Sequence, residues 1–290
     1  MSIAIDSGCL ECHLRRNLAI ARPLGDEQQA MAFLKGLMKM YLSAPEGVSA
    51  AWFGPGVTDL LGQIYGVDPD RYHQEKLDSN RFVLERMDSI RDKITAAEDP
   101  LYAGLQFAIL GNYLDFAALH GQVSFEKLTE MLENARKMEL DAPVYDSLCR
   151  DMEKGKNLLY LTDNAGEIGF DRLFAEEIHK RYPNLQITFC VRGAIAANDA
   201  TREDAAVVGI PFPVIDNGNR IAGTQIDLLG QEAREALHSS DVIIAKGMAN
   251  TETMWGCGLN VYYTFLVKCQ KFETYFGKPM FTPVLAKELK

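Results

Sequence analysis

The segment "YLTDNAGEIGFDRLF" (160 to 174) places two acids and an amide in the short turn between an apolar stretch and an amphipathic helix. The acids are Asp163 and Glu167, the amide is Asn164, and another acid, Asp199, follows the next apolar stretch along the chain. Asp163 and Asp199 offer anionic oxygens, and Asn164 offers a neutral carbonyl oxygen. This mixture suits Mg²⁺ or Mn²⁺, with positions left for water and substrate, and suits Zn²⁺ less well. These residues are therefore candidate ligands of a hard divalent metal.

A lysine and a helix N-terminus are predicted close to the same turn. Lys246 comes at the end of a later apolar stretch, and the helix that starts near Glu167 offers free N–H groups to an anion. A metal, a cation and a helix terminus together describe a site for a phosphate group. In the simpler interpretation, Asp163 and Asn164 only cap the following helix.

The pattern after residue 155 predicts the elements that would bring these residues together. Short apolar stretches alternate with amphipathic helices, which is typical of a parallel sheet with helices on both faces. The predicted strands are "NLLYLT" (157 to 162), "QITFCV" (186 to 191), "FPVID" (212 to 216), "DVIIAKG" (241 to 247) and, as the last strand, "YYTFLVKC" (262 to 269). Ligands usually bind where the carboxyl ends of such strands meet. Polar segments follow four of these strands, and their convergence favours a binding site over simple helix caps.

Before residue 155 the apolar residues recur with a helical period. The predicted helices are "QAMAFLKGLMKMYL" (29 to 42), "SNRFVLERMDSIRDKI" (79 to 94), "LYAGLQFAILGNYLDFAAL" (101 to 119) and "SFEKLTEMLENARKM" (124 to 138). Ser124 is the expected N-cap of the last of these helices. We therefore expect a mainly helical domain over residues 1 to 150 and an α/β domain over residues 151 to 290.

Composition and charge limit the classes of function. The chain has 290 residues, 47% of them hydrophobic, and its 30 basic and 40 acidic residues give a net charge of −10. Nucleic acid is not expected as a partner, because binding a phosphate backbone needs a positive field. No stretch approaches the ~20 apolar residues of a membrane helix, and the first residues lack the features of a signal peptide. We therefore expect no membrane partner. Of six cysteines only Cys9 and Cys12 lie close together, which fits a reducing cytoplasm better than a disulfide framework.

Four motifs in order resemble those of the damage-control phosphatases, an ARMT-like family of metal-dependent enzymes formerly grouped as a domain of unknown function. The motifs are "GNYLDF" (111 to 116), "LTDNAGEIGFDRLFAEEI" (161 to 178), "RGAIAANDAT" (192 to 201) and "KGMANTET" (246 to 253). The resemblance covers nearly the whole chain, including "EKLDSNRFVLE" (75 to 85) and "VKC" (267 to 269). The N-terminal "CLEC" is similar to the archaeal and bacterial branch of the family.

This resemblance implies a Rossmann-like three-layer α/β/α domain with a mainly parallel sheet, beside an N-terminal helical domain that contributes pocket residues. It implies hydrolysis of small phosphorylated metabolites with a divalent metal, which could be Mn²⁺, Mg²⁺, Co²⁺ or Ni²⁺. Asp163, Asn164 and Asp199 would hold the metal. Lys246 would bind the phosphate and act in catalysis. Glu167 would be catalytic too, by orienting a water or by binding the metal through one.

The resemblance also implies a set of substrate-binding positions, each of which has a simpler interpretation. Asn112 and Asp115 lie one helical turn apart in an apolar stretch, so they form either a buried hydrogen-bonded knot or a wall of the pocket. Lys76 and Asn80, also one turn apart, form either a solvated helix face or part of the pocket. Asn198 precedes Asp199 and completes the set with Lys246.

Cys9 and Cys12 supply only two of the four ligands of a structural zinc site, and no second pair follows at the spacing of a zinc ribbon. Reduced thiols at a helix start, packed on the core, are the favoured interpretation. A metal site completed elsewhere in the fold is the alternative.

Three other chemistries are alternatives. Enzymes that form an aspartyl-phosphate place a second Asp two residues after the nucleophile, but Ala165 stands there, which favours attack by metal-activated water. An S-adenosylmethionine-dependent carboxyl methyltransferase would carry a Gly-x-Gly-x-Gly loop after its first strand, whereas only Gly166 and Gly169 occur here. A non-catalytic protein that binds a phosphorylated ligand through the same loops is the third possibility.

Overall fold

The computed structural model of the protein describes residues 3–119 and 122–288. In this part of the chain a six-stranded sheet is covered by helices on both faces. The strands are β1 (Asn157–Leu161), β2 (Gln186–Val191), β3 (Val214–Asp216), β4 (Val242–Lys246), β5 (Val261–Leu266) and β6 (Pro283–Lys287). The helices are α1 (Ser7–Ala21), α2 (Glu27–Leu42), α3 (Gly54–Tyr65), α4 (His73–Leu84), α5 (Met87–Thr95), α6 (Pro100–Gly111), α7 (Phe125–Glu133), α8 (Ala142–Lys154), α9 (Glu167–Arg181), α10 (Arg202–Val207), α11 (Gln231–Ser239), α12 (Gly247–Met254) and α13 (Gln270–Phe276). The predicted three-layer α/β/α fold with its N-terminal helices is confirmed.

The sheet has the order β3-β2-β1-β4-β5-β6, and β1 to β5 are mutually parallel. The chain therefore proceeds outward from β1 to β3 and then returns to the other side of β1. The loops after β1 and β4 leave the sheet at this reversal, which is where open parallel sheets bind their ligands.

The five strands predicted from the sequence are all present, but the fifth is not the last. β6 pairs antiparallel with β5 and closes that edge of the sheet. Its sequence is short and begins with Pro283, a residue that is confined to edge positions in sheets, so its periodicity is weak.

Two predicted helices are shorter than their apolar pattern. The run from 79 to 94 is divided between α4 and α5, which both pack against α9. The apolar period does not reveal this break, because the apolar residues on both sides of it face the same helix, α9. The run from 101 to 119 ends as a helix at Gly111. Ser124 is confirmed as an N-cap, since its Oγ accepts a hydrogen bond from the Lys127 amide at 3.2 Å.

The apolar core lies on both faces of the sheet. In the largest cluster, the six helices from α4 through α9 pack against one face of the sheet. This cluster contains residues from both predicted domains, among them Val83, Phe107, Phe170 and Tyr262. A second cluster covers the other face, and a separate small one holds α1, α2 and α3 together. The domain boundary near residue 150 therefore stays a prediction. None of the helices in the described residues combines the length and the apolarity that crossing a bilayer requires.

Candidate active site

The turn that follows β1 is paired with the turn that follows β2. Asn164 and Asp199 form an isolated antiparallel bridge, and the Ala200 amide donates to the Asp163 carbonyl oxygen at 2.7 Å. Because β1 and β2 are parallel neighbours, their carboxyl ends lie at the same edge of the sheet. The three residues predicted to hold a metal are thus brought together on two adjacent loops.

Asp163 and Asn164 do not cap α9. The N-cap of this helix is Gly166, at φ +76°, and no side chain caps it. Oδ2 of Asp163 instead accepts hydrogen bonds from Nδ2 of Asn112 and Nδ2 of Asn164, both at 2.9 Å. Its Oδ1 has no hydrogen-bond partner among the described residues. The interpretation of these two residues as simple helix caps is wrong.

Glu167 is fully buried, and both of its carboxylate oxygens are hydrogen-bonded. Nδ2 of Asn112 lies 3.1 Å from Oε1 and 3.0 Å from Oε2. Oε2 also accepts from Nδ2 of Asn164 at 2.7 Å and from its amide at 3.3 Å. In this structure Glu167 therefore orients two amides, and its predicted contact with a water or a metal stays a prediction.

Lys246 is the last residue of β4, and its side chain points into the protein with no exposed surface. Its Nζ lies 3.1 Å from Oε1 of Glu167 and 3.0 Å from Oδ1 of Asp171, and it donates to the Ala108 carbonyl oxygen at 2.5 Å. An ammonium group has three N–H donors. All three are used inside the protein, so the predicted contact of Lys246 with a phosphate stays a prediction.

Gly247, the first residue of α12, allows the end of β4 to approach the turn after β1. Its φ is +81°, and a Cβ atom at this position would overlap the carboxylate of Asp163. Both the backbone conformation and the close approach require glycine here.

Asn112 and Asp115 lie at the end of α6 rather than within one helix. Asn112 is the C-cap, and its Oδ1 accepts from the Leu266 amide at 3.0 Å. The Nζ of Lys268, which follows β5, donates to the Asn112 carbonyl oxygen at 2.7 Å and to Oδ2 of Asp115 at 2.6 Å. The charge of Asp115 also raises the pKa of Asp163, although burial and the charges of Glu167 and Asp199 have larger effects. Both residues therefore lie in a buried hydrogen-bonded knot beside the metal-ligand candidates.

Lys76 and Asn80 lie on the buried side of α4, so the solvated-face interpretation is wrong. Both contact Asp204: Nζ of Lys76 lies 2.8 Å from Oδ2, and Nδ2 of Asn80 donates to Oδ1 at 2.9 Å. Oδ1 of Asn80 accepts from the Gly166 amide at 2.7 Å. Asn80 thereby holds the turn that precedes α9, while any contact of Lys76 with a substrate stays a prediction.

The loop after β2 carries two more buried polar groups. Nδ2 of Asn198 donates to Oδ1 of Asn164 and to the Leu114 carbonyl oxygen, both at 2.9 Å. Nε of Arg192 donates to Oδ2 of Asp199 at 2.6 Å, and the side chain of Arg192 is 1% exposed. Asn198 thus orients the amide of Asn164, and Arg192 compensates the charge of Asp199.

Acidic groups outnumber basic groups in this buried cluster. The carboxylates are those of Asp115, Asp163, Glu167, Asp171, Asp199 and Asp204, and the cations are Lys76, Lys246, Lys268 and Arg192. Burial, followed by the charges of Glu167 and Asp199, raises the pKa of Asp163 well above its usual range. Burial also raises the pKa of Asp199, although Arg192 opposes the shift. The formal excess of two negative charges is the charge that one divalent cation would neutralise.

The donor set fits a divalent metal that keeps several ligands from outside the chain. No group of three or more His, Cys, Asp or Glu side chains among residues 3–119 and 122–288 is arranged to hold a metal by itself. Asp163 and Asp199 would therefore need the amide oxygen of Asn164 and further ligands such as water, which is the coordination that Mg²⁺ and Mn²⁺ accept. Cys9 and Cys12 are free, half-buried thiols in the first turns of α1.

Three functional candidates were not identified from the sequence: Arg192, Asp204 and Lys268. Arg192 and Lys268 follow the carboxyl ends of parallel strands, so the rule that located Asp163 also applies to them. Asp204 stands in the capping box of α10, where its Oδ2 accepts from the amide and hydroxyl of Thr201. That local role gives no sequence signal for its additional contact with α4.

Comparison with known proteins shows which family the chain resembles. The family described as the damage-control phosphatase ARMT1-like domain matches residues 5–279. The chain is 31% identical to an uncharacterised protein of Methanocaldococcus jannaschii over 99% of this chain and 96% of that one. It is 30% identical to a protein of Archaeoglobus fulgidus named damage-control phosphatase, over 93% and 94%. The crystal structure of a DUF89 family protein from Pyrococcus horikoshii superimposes with a TM-score of 0.83 at 25% identity, over 99% of both chains.

Proposed function

The chain belongs to the damage-control phosphatase ARMT1-like family, and we propose that the cluster at the ends of β1, β2 and β4 is its active site. The protein is a metal-dependent phosphatase. We further propose that its substrates are small phosphorylated metabolites and that it acts in the cytoplasm, where its free thiols would stay reduced.

One observation carries the assignment of the site. Asp163, Asn164 and Asp199 come from two neighbouring parallel strands and meet at the sheet edge where the strand order reverses. The cluster to which they belong contains six carboxylates, those of Asp163 and Asp199 included, and only four cations, all at least largely buried. A purely structural cluster would gain stability by balancing these charges, because an uncompensated buried carboxylate is costly. The imbalance supports a role in binding a cation.

Asp163, Asn164 and Asp199 are the residues that would hold the metal. A divalent cation bound there supplies Lewis-acid polarisation of a phosphoryl oxygen and makes an attacking water more acidic. Glu167 holds the amides of Asn112 and Asn164 in fixed orientations by accepting their N–H groups. Preorganised groups of this kind need no rearrangement when charge develops in the transition state.

Lys76 and Lys268 both keep unused N–H donors, and we propose Lys268 for the contact with the phosphate because its charge acts directly on Asp163. The Nζ of Lys268 has two acceptors among the described residues, the Asn112 carbonyl and Asp115, so one of its three N–H donors is unused. The side chain of Lys246 has no donor left and acts as a counter-charge for Glu167 and Asp171. In this proposal Lys268 stabilises charge on the phosphoryl oxygens, and Lys246 holds Glu167 in place.

The two alternative functions have less support. No Gly-x-Gly-x-Gly loop follows β1, and the relative from Archaeoglobus fulgidus is named a damage-control phosphatase, which disfavours a methyltransferase. A protein that only binds a phosphorylated ligand would use the same loops. Turnover separates that possibility from a hydrolase.

The experiment is hydrolysis of p-nitrophenyl phosphate by the purified protein with Mn²⁺, followed by a phosphometabolite panel with Mg²⁺, Mn²⁺, Co²⁺ and Ni²⁺. We expect activity that EDTA abolishes. Asp163→Asn keeps the side-chain volume but removes a charge, so it should weaken Mn²⁺ binding and lower turnover together. Folding should be unaffected or improved, because repulsion with Glu167 and Asp199 is relieved.

Asp216→Asn is the matched control, since Asp216 also ends a parallel strand but is ion-paired with Arg202 and partly exposed. This control should retain metal binding and activity. Normal Mn²⁺ affinity and normal hydrolysis in Asp163→Asn would show that the site has been misplaced.

A further inference from the structure

Arg192 is a buried arginine that lies between the loops carrying the candidate metal ligands. Its side chain is 1% exposed, its Nε donates to Oδ2 of Asp199 at 2.6 Å, and its Nη2 donates to the Thr162 carbonyl oxygen at 3.3 Å. A guanidinium group so far from solvent is unfavourable unless its charge and its N–H groups are compensated. Both of its partners here belong to the turns that hold Asp163 and Asp199.

The contact with Thr162 connects Arg192 to the other ligand loop. Thr162 immediately precedes Asp163, and its carbonyl oxygen also accepts from Nδ2 of Asn250 at 3.0 Å. The Arg192 amide donates to the Ala200 carbonyl oxygen at 2.9 Å, so the backbone of Arg192 is fixed beside Asp199 as well. The guanidinium therefore sets the position of the Asp199 carboxylate relative to the turn after β1.

The same contact makes the two carboxylate oxygens of Asp199 different. Oδ2 is occupied by Arg192, whereas Oδ1 has no hydrogen-bond partner among residues 3–119 and 122–288. Rotation of the carboxylate would break the charge-assisted bond to Nε, which is among the stronger hydrogen bonds in proteins. Asp199 is thus held with one defined oxygen free.

We infer that Arg192 is a positioning residue for metal binding. It orients Asp199 so that a single carboxylate oxygen is free for the metal, at a fixed position relative to Asp163. The inference rests on the proposed function, because it takes Asp163 and Asp199 as the ligands. Partners that orient metal ligands in this way affect metal affinity on the order of 10- to 100-fold.

A lysine could not replace this arginine. Arginine presents planar donors in a fixed fork, so one side chain can reach a carboxylate and a carbonyl at the same time, while lysine is a flexible point charge. Arg192→Lys therefore keeps the charge and removes the orientation. Arg192→Gln removes the buried charge and is the second variant if the lysine form does not fold.

Arg202→Lys is the matched control, because Arg202 makes the same pattern of bonds at the protein surface. Its Nε donates to Asp216 at 2.6 Å and its Nη1 donates to the Val214 carbonyl oxygen at 2.5 Å, but half of its side chain is exposed. Exposed pairs contribute little, so this variant should bind Mn²⁺ within about twofold of wild type.

The experiment is calorimetric titration of the metal-free proteins with Mn²⁺, together with urea unfolding in EDTA and the electron paramagnetic resonance spectrum of bound Mn²⁺. For Arg192→Lys or Arg192→Gln we expect affinity on the order of 10-fold weaker or more and an altered Mn²⁺ spectrum. A lower unfolding midpoint with unchanged affinity and an unchanged spectrum would reduce Arg192 to a structural residue and overturn the inference.

Asp199→Asn distinguishes this failure from failure of the proposed site. If Asp199 is a ligand, Asp199→Asn loses most Mn²⁺ affinity, and adding Arg192→Lys to it changes the affinity little further. Wild-type Mn²⁺ affinity in Asp199→Asn would refute the proposed site itself. In the wild type, the Nε–H resonance of Arg192 should shift when Mg²⁺ is added, and an unmoved resonance under saturating Mg²⁺ would also overturn the inference.

Discussion

Replacement of Lys246 by methionine tests whether this lysine compensates buried acids or binds the substrate. Methionine keeps an unbranched apolar side chain of similar length and removes the ammonium group. Two acids then lose their cation, since Nζ lies 3.1 Å from Glu167 and 3.0 Å from Asp171 with none of the three side chains exposed. We expect a large loss of stability. We also expect a loss of turnover, because Glu167 would no longer be held in place.

The size of the effect follows from the burial of the pair. Removing one partner of a buried ion pair costs about 3–5 kcal/mol, because the remaining charge has neither solvent nor a counter-ion. Burial already raises the pKa of Asp171 to about 7, although Lys246 and Tyr160 lower it. Without Lys246 this pKa rises further above its unfolded value of roughly 4. An acid with a raised folded pKa stabilises the protein at low pH and loses that contribution as pH rises, so the deficit should be larger at pH 8 than at pH 5.

The assay is urea unfolding in EDTA at both pH values, with Arg220→Met as the control. Arg220 also pairs with an acid, Asp59, at 2.7 Å, but the two side chains are 42% and 46% exposed. Exposed pairs of this kind contribute about 0–1 kcal/mol. The free energy of unfolding of the control should therefore stay close to that of wild type.

Wild-type stability in Lys246→Met would refute the assignment of Lys246 as a buried counter-charge. If such a stable variant also lost hydrolysis while keeping Mn²⁺ affinity, Lys246 would contact the phosphate, as the sequence resemblance implies. Lys268→Met should show the converse pattern of reduced turnover with a smaller change in stability, because Lys268 contacts only one carboxylate.

Three further outcomes are expected. Gly247→Ala should abolish Mn²⁺ binding, because the added Cβ overlaps the Asp163 carboxylate. Gly258→Ala is the control: its φ is a similar +78° but no atom lies nearby, so it should cost only backbone strain of about 1–3 kcal/mol. Calorimetry measures Mn²⁺ affinity and urea unfolding measures stability for both variants. In EDTA, wild-type stability should fall as pH rises through the folded pKa of Asp171, which is about 7, and Asp171→Asn should flatten this dependence. Cys9→Ser with Cys12→Ser should retain hydrolysis and metal content, since both thiols lie on α1.

Much of the fold could be predicted from the sequence because the relevant signals are local. The bounds predicted for β2 and the start predicted for the helix after Asp163 agree with the structure, and hydrophobic period and chain order suffice for both. The location of a site at the carboxyl ends of the strands could also be predicted, since parallel strands connected by helices must end at the same edge. The identities of Asp163, Asn164 and Asp199 as candidate ligands followed from that rule.

The direction of each polar side chain, by contrast, depended on contacts between distant parts of the chain. Asn112 reaches Asp163 and accepts from the Leu266 amide, contacts that join residues 51 and 154 positions apart. Nothing in the local pattern shows that Lys246 points inward to Glu167 while Lys268 keeps an unused donor. Arg192 likewise has no sequence feature that separates it from a surface arginine, because the Thr162 carbonyl that it contacts is 30 positions away and is brought to it only by the fold. The hydrophobic period of the sequence locates the edge of the sheet. Which residues at that edge pair with each other, and which keep free donors or acceptors, is decided by how the helices pack against it.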